Sequence, residues 1–323
     1  MRVLVIGATG YVASRLIPTL LQRGHHVTAG ARALERLDRF YWSDSVDRVE
    51  VNVLDQTSIT NAIDPTIETV IYLVHGMDRE DFRAVDRKAA ENLVAVLPST
   101  NVQRLVYLSG IVPDIDREAL SEHLLSRLEV EETLSQASQT VITLRAAMII
   151  GAGSASFELM SKLTRRLPIT VVPYWMRHDV EPISIEDLTL AVEAAMTAAV
   201  SSGHYDVGGG HRIAYADLLD LYAEVAGINR DQLHLPFLPE TMVAKVAARI
   251  TSVNTSTAQS LIESLREDMV AADTRWISEL AADRSGSELT SVREAIQRSL
   301  TTPDTAVAPS ARDPLGRLPG DRH

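Results

Sequence analysis

Cysteine is absent from all 323 residues, which removes disulfide frameworks, thiolate nucleophiles and cysteine metal sites together. Aromatic residues are scarce at 5% and no basic tract interleaves with them. With 31 Lys and Arg against 43 Asp and Glu, the net charge is −12, which argues against nucleic acid and anionic membrane as partners. No apolar run is long enough to span a bilayer, and a strand-like run already begins at residue 2, so neither a membrane span nor a signal peptide is expected and the default compartment is the cytoplasm. The histidines are scattered, and His25 and His26, being adjacent, point to opposite faces of a strand, so no metal site is expected either. No internal repeat is visible. Apolar residues make up 46% of the chain, enough to build one large core or two modest ones.

Against those absences the first thirty-two residues stand out. Val3-Leu4-Val5-Ile6 reads as a strand buried on both faces and runs straight into Gly7-Ala8-Thr9-Gly10-Tyr11-Val12-Ala13. Gly7 and Gly10 allow a sharp turn and close approach of a ligand, while Ala13 is small enough for the next helix to lie close on the strand. That helix carries Leu16, Leu20 and Leu21 and stops at Gly24, so its amino-terminal amides would face a diphosphate. Strand, glycine turn, amphipathic helix and second strand come in order within one unit, the context that makes a glycine fingerprint informative. Gly7, Thr9, Gly10, Tyr11 and Val12 are therefore the expected dinucleotide-binding residues. The second strand ends in Gly30-Ala31-Arg32, with Arg36 one turn on, where a site for NAD usually has an acidic residue. A guanidinium suits a ribose 2′-phosphate, so NADP is favoured and NAD remains the alternative.

Strands are expected over 49–53, 69–74, 104–108 and 140–144, alternating with helices over 79–96 and 119–137. The alternation predicts an α/β fold: a doubly wound parallel-sheet Rossmann domain over 1–150 with its ligand at the carboxyl ends of the strands. Leu54 and Asp55, just past the third strand, would lie near the adenine; Asp55 equally suits capping the next helix with Ser58. His75, at the end of the fourth strand, suits a ribose or a backbone group. From 151 to 301 the pattern becomes mixed and mainly helical, a smaller substrate or cap region interleaved with the first. Helices are expected over 186–200, 216–226, 242–250 and 257–272, with a break at Leu235-Pro236-Phe237-Leu238-Pro239. Ser291 and Glu294 have capping-box spacing, but the last helix is expected to start earlier and to end near Leu300. Four prolines, two glycines and no periodicity make 302–323 read as a disordered tail.

The glycine loop, Tyr107-Leu108-Ser109-Gly110, Leu144-Arg145-Ala146-Ala147-Met148-Ile149-Ile150-Gly151, Pro182-Ile183-Ser184-Ile185-Glu186-Asp187-Leu188, Tyr205-Asp206-Val207-Gly208-Gly209 and Ser260-Leu261-Ile262-Glu263-Ser264-Leu265-Arg266 occur in an order that resembles an extended or atypical short-chain dehydrogenase/reductase. The likeness spans residues 1 to 300 and is greatest to the bacterial NAD(P)H-binding, epimerase-like group. It implies hydride transfer with a serine orienting the substrate oxygen, followed on the next helix by a Tyr and, four residues on, a Lys. Ser109 fits the serine. The helix instead has His123 in the Tyr position and Arg127 in the Lys position.

Residues four apart still share a helical face, and a neutral imidazole can exchange a proton near neutrality, so Ser109, His123 and Arg127 are the candidate catalytic residues. One alternative is a structural use of the pair on the cofactor side, with Arg127 bonding ribose hydroxyls; the other is a partly exposed His123 and a surface Arg127 paired with Glu131. Phe157, Tyr174, Trp175, Met176 and Arg177 are candidates to line a substrate cleft. The expected function is an NADP(H)-dependent oxidoreductase of a small molecule. A non-catalytic NADP(H) sensor is the rival, prompted by the missing Tyr and Lys, and a sugar-nucleotide epimerase comes third. The resemblance also implies a homodimer through the 79–96 and 119–137 helices.

Overall fold

Alternation along the opening strand decides how the molecule is layered. In β1 (Arg2–Ile6), Val3 and Val5 face one way, Leu4 and Ile6 the other, and all four are buried. The computed structural model describes residues 1–76, 81–166, 169–229, 231–234, 259, 261–282 and 288–321. After β1 come α1 (Tyr11–Gln22), β2 (His26–Ala31), β3 (Asp47–Glu50), α2 (Gln56–Ala62), β4 (Thr69–Tyr72), α3 (Phe82–Val96), β5 (Arg104–Gly110), α4 (Glu122–Leu134) and β6 (Thr140–Ala146). The chain continues through β7 (Ile149–Ile150), α5 (Ala155–Arg166), β8 (Ile169–Val172), β9 (Asp179–Val180), β10 (Ile183–Ser184) and α6 (Ile185–Thr197). It then forms β11 (Gly203–Val207), β12 (Ile213–Ala214), α7 (Tyr215–Val225), β13 (Asp231–His234) and α8 (Val292–Leu300).

Seven of these strands form one parallel sheet in the order β11-β6-β5-β4-β1-β2-β3. Val3, Val5, Ile71, Val106 and Ile142 meet Leu16, Ile17 and Leu20 of α1 and Leu188, Ala191 and Val192 of α6 on one face. Leu4, Ile6, Val70, Leu105 and Val141 meet Ile59 of α2, Leu93 of α3 and Leu134 of α4 on the other. Burying an aliphatic side chain of this size contributes about 1.5–3 kcal/mol, so both faces must be covered. The chain winds outward in both directions from the β1/β4 pair, which places a crevice at the carboxyl ends of those strands.

The part of the chain after residue 151 contributes to the sheet as well, since α6 packs on it and β11 pairs with β6 as its edge strand. The remaining short strands pair as β10 with β7, β12 with β9 and β13 with β8, and α5, α7 and α8 pack beside them.

Several sequence expectations need correction. The third strand lies at 47–50, starting two residues earlier than expected; just beyond it the Val51 amide still donates to the Ala31 carbonyl at 2.9 Å, and Val51 and Val53 are buried. The fifth and sixth strands run two residues further, as the β5–β6 ladder continues to Gly110 and Ala146. The last helix starts at Val292, not earlier: Ser291 is its cap and accepts the Glu294 amide at 3.2 Å. The helix expected over 257–272 ends early, in a tight turn at Ser264–Arg266, and Met269 instead hydrogen-bonds through its backbone to Asp179 and Glu181. The helix at 242–250, the break at 235–239 and the first two residues of the 79–96 helix lie outside the described residues.

The largest correction concerns the tail. Residues 313–321 of the expected disordered tail are packed against the molecule, with Leu315 and Leu318 buried, while most of 302–311 is exposed. The Leu315 carbonyl accepts the Ala152 amide at 2.8 Å, and Arg317 bonds Glu158 at 2.6 Å. Arg15 of α1, only 1% exposed, holds the segment most firmly. Its Nε donates to the Pro314 carbonyl at 3.2 Å and its Nη2 to the Ala152 and Gly316 carbonyls, both at 3.0 Å. Nη1 donates to Ser14 Oγ at 2.8 Å, and both terminal nitrogens bond the Asp321 carboxylate. Order here comes from pairing with residues some three hundred positions away, which no local periodicity reports.

Candidate functional site

The loop after β1 takes the conformation its glycines allow. Gly7 sits at φ +95°, and a Cβ there would lie 3.1 Å from the Leu73 carbonyl carbon. Gly10 is the cap residue of α1 and has no side chain to offer. Its carbonyl takes the Ser14 amide at 3.1 Å, so the amides of Tyr11, Val12 and Ala13 have no helical acceptor. Such a cradle fits a diphosphate.

A cavity of about 330 Å³ opens beside this loop. Gly10, Tyr11, Val12, His75, Ser109, His123 and Arg127, expected from four separate stretches of sequence, all line it. Its other walls are mostly apolar, among them Leu108, Met148, Leu159, Val180, Leu265 and Met269. The Tyr11 hydroxyl is buried without a partner and turned toward Gly151, where a Cβ would come within 2.1 Å of it. Ser109 Oγ, near the Tyr107 hydroxyl, is likewise buried and meets no partner at hydrogen-bond geometry.

At one end of the cavity four side chains form a chain. Arg127 Nε donates to His123 Nε2 at 3.2 Å, His123 Nδ1 lies 3.1 Å from His75 Nε2, and His75 Nδ1 lies 2.9 Å from Asp86 Oδ2. An arginine nitrogen can only donate, so His123 carries its proton on Nδ1, gives it to His75 Nε2, and leaves His75 protonated on Nδ1 toward Asp86. Burial, reinforced by Arg127, holds both imidazoles well below the ordinary histidine pKa, and they are neutral. Asp86, also buried, is pushed up to about 6, although the Gly76 amide donates to both its oxygens at 3.0 and 3.1 Å and Arg127 acts in the same direction as that amide.

Glycine again makes room for this chain. A Cβ on Gly76 would lie 3.1 Å from Asp86 Oδ1, and one on Gly110 would lie 3.1 Å from Arg127 Cδ. An ion pair between Arg83 of α3 and Glu129 of α4, at 2.6 and 2.9 Å, ties together the two helices that present Asp86, His123 and Arg127.

These contacts revise several expectations. His75 bonds neither a backbone group nor an open position for a ribose, since both its ring nitrogens are used. His123 is buried rather than partly exposed. Arg127 does not pair with Glu131, whose carboxylate is taken by Arg145 at 2.8 and 2.9 Å. Asp55 does cap its helix, accepting the Thr57 amide at 2.9 Å, while Ser58 Oγ accepts the Asn52 amide instead. Tyr174 is exposed, Phe157 and Met176 are core, and none of them lines the cavity. Arg177 does not line it either, and the Trp175 side chain lies outside the described set.

Arg32 and Arg36 are exposed beside the second strand, and among the described residues neither side chain makes a hydrogen bond or ion pair. Sequence reasoning missed Arg39, whose Nη2 donates to the Thr9 carbonyl of the glycine loop at 2.7 Å. It also missed Asp86. The signal was present: a carboxylate within the Phe82, Val85, Ala89, Leu93 stripe of α3, where a solvated charge does not belong.

Comparison with known proteins agrees with this geometry. Residues 7–155 match a family described as NAD(P)H-binding. A fatty acid hydroxylase of Mycosarcoma maydis is 35% identical over 75 residues, which is 23% of this chain and 25% of that protein. Among solved structures, a nucleoside-diphosphate-sugar epimerase of Staphylococcus aureus superposes with a TM-score of 0.71 at 15% identity, covering 92% of this chain and 100% of that one. The Bordetella bronchiseptica enzyme WbmH in complex with NAD+ gives 0.61 at 20% identity, over 83% and 99% of the two chains. A UDP-glucose 4-epimerase of Bifidobacterium longum in complex with NAD+ and UDP gives 0.60 at 16% identity, over 81% and 97%. Residues 7–155 thus resemble an NAD(P)H-binding family, and the chain as a whole shares the fold of these solved structures. No described helix is long and apolar enough to cross a membrane.

Proposed function

We propose that this NAD(P)H-binding chain is an NADP(H)-dependent oxidoreductase that interconverts an alcohol and a carbonyl in the cavity beside its glycine loop. The observation that carries the reading is the convergence of the loop, Ser109 and the His75–His123–Arg127 cluster on one largely apolar cavity at the switch point of the sheet. Gly7, Thr9, Gly10, Tyr11 and Val12 hold the diphosphate. Arg32, with Arg36 one turn on, takes the ribose 2′-phosphate, and no carboxylate stands at the end of β2 to favour NAD. Leu54, 41% exposed, offers an apolar surface to the adenine, and Asp55 shapes the turn beneath it. When bound, the coenzyme supplies or accepts a hydride at C4 of its nicotinamide.

Ser109 Oγ orients the substrate oxygen. The proton of that oxygen has a path through the cluster: taken at His123 Nε2, it shifts the Nδ1 proton of His123 to His75 Nε2 and the Nδ1 proton of His75 to Asp86. Carbonyl reduction runs the same path backward. Both ring nitrogens of His123 are engaged, so the path opens only when Arg127 Nε leaves His123 Nε2.

Calorimetry with NADPH and NADH, followed by NADPH oxidation against a carbonyl panel, tests the reading. We expect NADPH to bind at least about tenfold more tightly than NADH, and Arg32→Ala to erase that preference, as one charge-assisted pair to phosphate implies. Absence of binding to either coenzyme refutes the proposal. The closed ring contacts of His123 favour a second reading, an NADP(H) sensor without turnover. Binding with no oxidation across the panel, together with a partner affinity that differs between NADP+ and NADPH, selects it.

A further inference from the structure

Arg127 is held in place but not neutralised. Its stem lies against Gly110, and its Nε is fixed on His123. Among the described residues its two terminal nitrogens make no hydrogen bond or ion pair, although the side chain is half-buried and lines the cavity. The carboxylate joined to it through the imidazoles, Asp86, is already bound by the Gly76 amide and His75 and does not contact the guanidinium. Burial draws the Arg127 pKa below its usual value, yet an arginine keeps its proton, so a cation stands against an apolar wall.

The coenzyme's diphosphate is poorly placed to satisfy it. Ser109 and Gly110 end β5, which lies two strand spacings from β1 and its glycine loop, about 10 Å across the sheet. Four open N–H donors in a planar fork, on a cavity also lined by Leu108, Met148 and Leu265, fit a carboxylate on an otherwise apolar molecule.

We propose that Arg127 is the carboxylate receptor of the site and that the substrate is a hydroxy or oxo acid with an apolar body. The inference deepens the oxidoreductase reading and rests on it for the reacting oxygen at Ser109. It also gives the proton path its trigger, because a guanidinium turned toward a carboxylate releases His123 Nε2. A neutral substrate of the same shape leaves the histidine chain closed.

The test is calorimetry on the full chain, with and without saturating NADP+, using octanoate and the nearly isosteric octanamide as probes. Wild type is expected to bind octanoate at least about tenfold more tightly than octanamide, from charge-assisted hydrogen bonds to Arg127. Arg127→Gln should abolish the preference and Arg127→Lys keep part of it, while NADPH affinity changes by less than about threefold in either, since neither variant touches the diphosphate cradle. Equal affinity of wild type for the two probes overturns the proposal without any variant. So does a preference that survives Arg127→Gln, or an Arg127→Gln that loses NADPH binding instead, which would assign the guanidinium to the coenzyme. If NADPH fails to bind wild type, the coenzyme reading falls, and the two probes on the ligand-free protein still decide whether Arg127 receives a carboxylate.

Discussion

Two arginines show how differently this molecule treats a charge removed from water. Arg15, at the seam between α1 and the carboxyl-terminal segment, spends all five donors on one carboxylate, one hydroxyl and three carbonyls. Arg127, in the cavity, spends one on a neutral histidine. A buried cation with every donor matched holds a structure together, and removing its counter-charge is expensive. A cation left with open donors contributes little to folding and is suited to bind something from outside.

The sharpest way to break the comparison is to remove the counter-charge from the first arginine. Asp321→Ala should cost about 3–5 kcal/mol, the penalty for leaving a buried charge unpaired, and urea denaturation reads it directly. A loss below about 1 kcal/mol would mean that the segment is an ornament and Arg15 is satisfied without it.

Acidification probes the second region. His75 and His123 are held neutral in the fold, so the unfolded chain binds their protons more readily and stability falls as pH drops below about 6.5. Asp86 works the other way: raised from 3.8 to about 6, it contributes up to about 3 kcal/mol below the ordinary carboxylate pKa, lost as pH rises through about 6. Asp86→Asn removes that offset, so its melting temperature should fall more steeply than wild type between about pH 6.5 and about pH 4.5. Parallel curves would show that Asp86 titrates as an ordinary surface carboxylate.

A third change returns to the seam. Gly151→Ala places a methyl group within 2.1 Å of the Tyr11 hydroxyl and should cost about 1–3 kcal/mol, as overpacking does. Tyr11→Phe removes a buried hydroxyl that has no partner, so the double variant should recover part of the loss, the remainder being the contact of the new methyl group with Ile185 Cγ2 at 2.8 Å. The smallest expected effect sharpens the contrast most. Arg127→Met should remain within about 1 kcal/mol of wild type, because the lost bond to His123 is offset by the removal of an uncompensated cation. If it costs as much as Asp321→Ala, matched donors do not distinguish the two arginines.

The fold was legible along the chain wherever its cause is local. Buried strands alternate with amphipathic helices up to Ala146, the glycine turn follows β1 at once, and Arg32 stands at the end of β2 without an acidic neighbour. Ser109, His123 and Arg127 could be named from the resemblance to the short-chain dehydrogenases/reductases, and they do share one cavity. Sequence periodicity did not reveal what those residues touch. Asp86 reaches His75 across the gap between β4 and α3, and the pairing of His75 with His123 spans forty-eight positions.

The tail carries the same lesson. Proline and glycine do prevent a helix over 302–321, but irregular is not disordered when a buried guanidinium is waiting for its carbonyls. By itself, then, the sequence determined the doubly wound core and the glycine turn that opens α1, because backbone geometry and apolar spacing are properties of neighbours along the chain. Only the tertiary structure decided which arginine is neutralised and which is left open. Matching donors to acceptors depends on groups that are remote in sequence and meet only when the chain has folded.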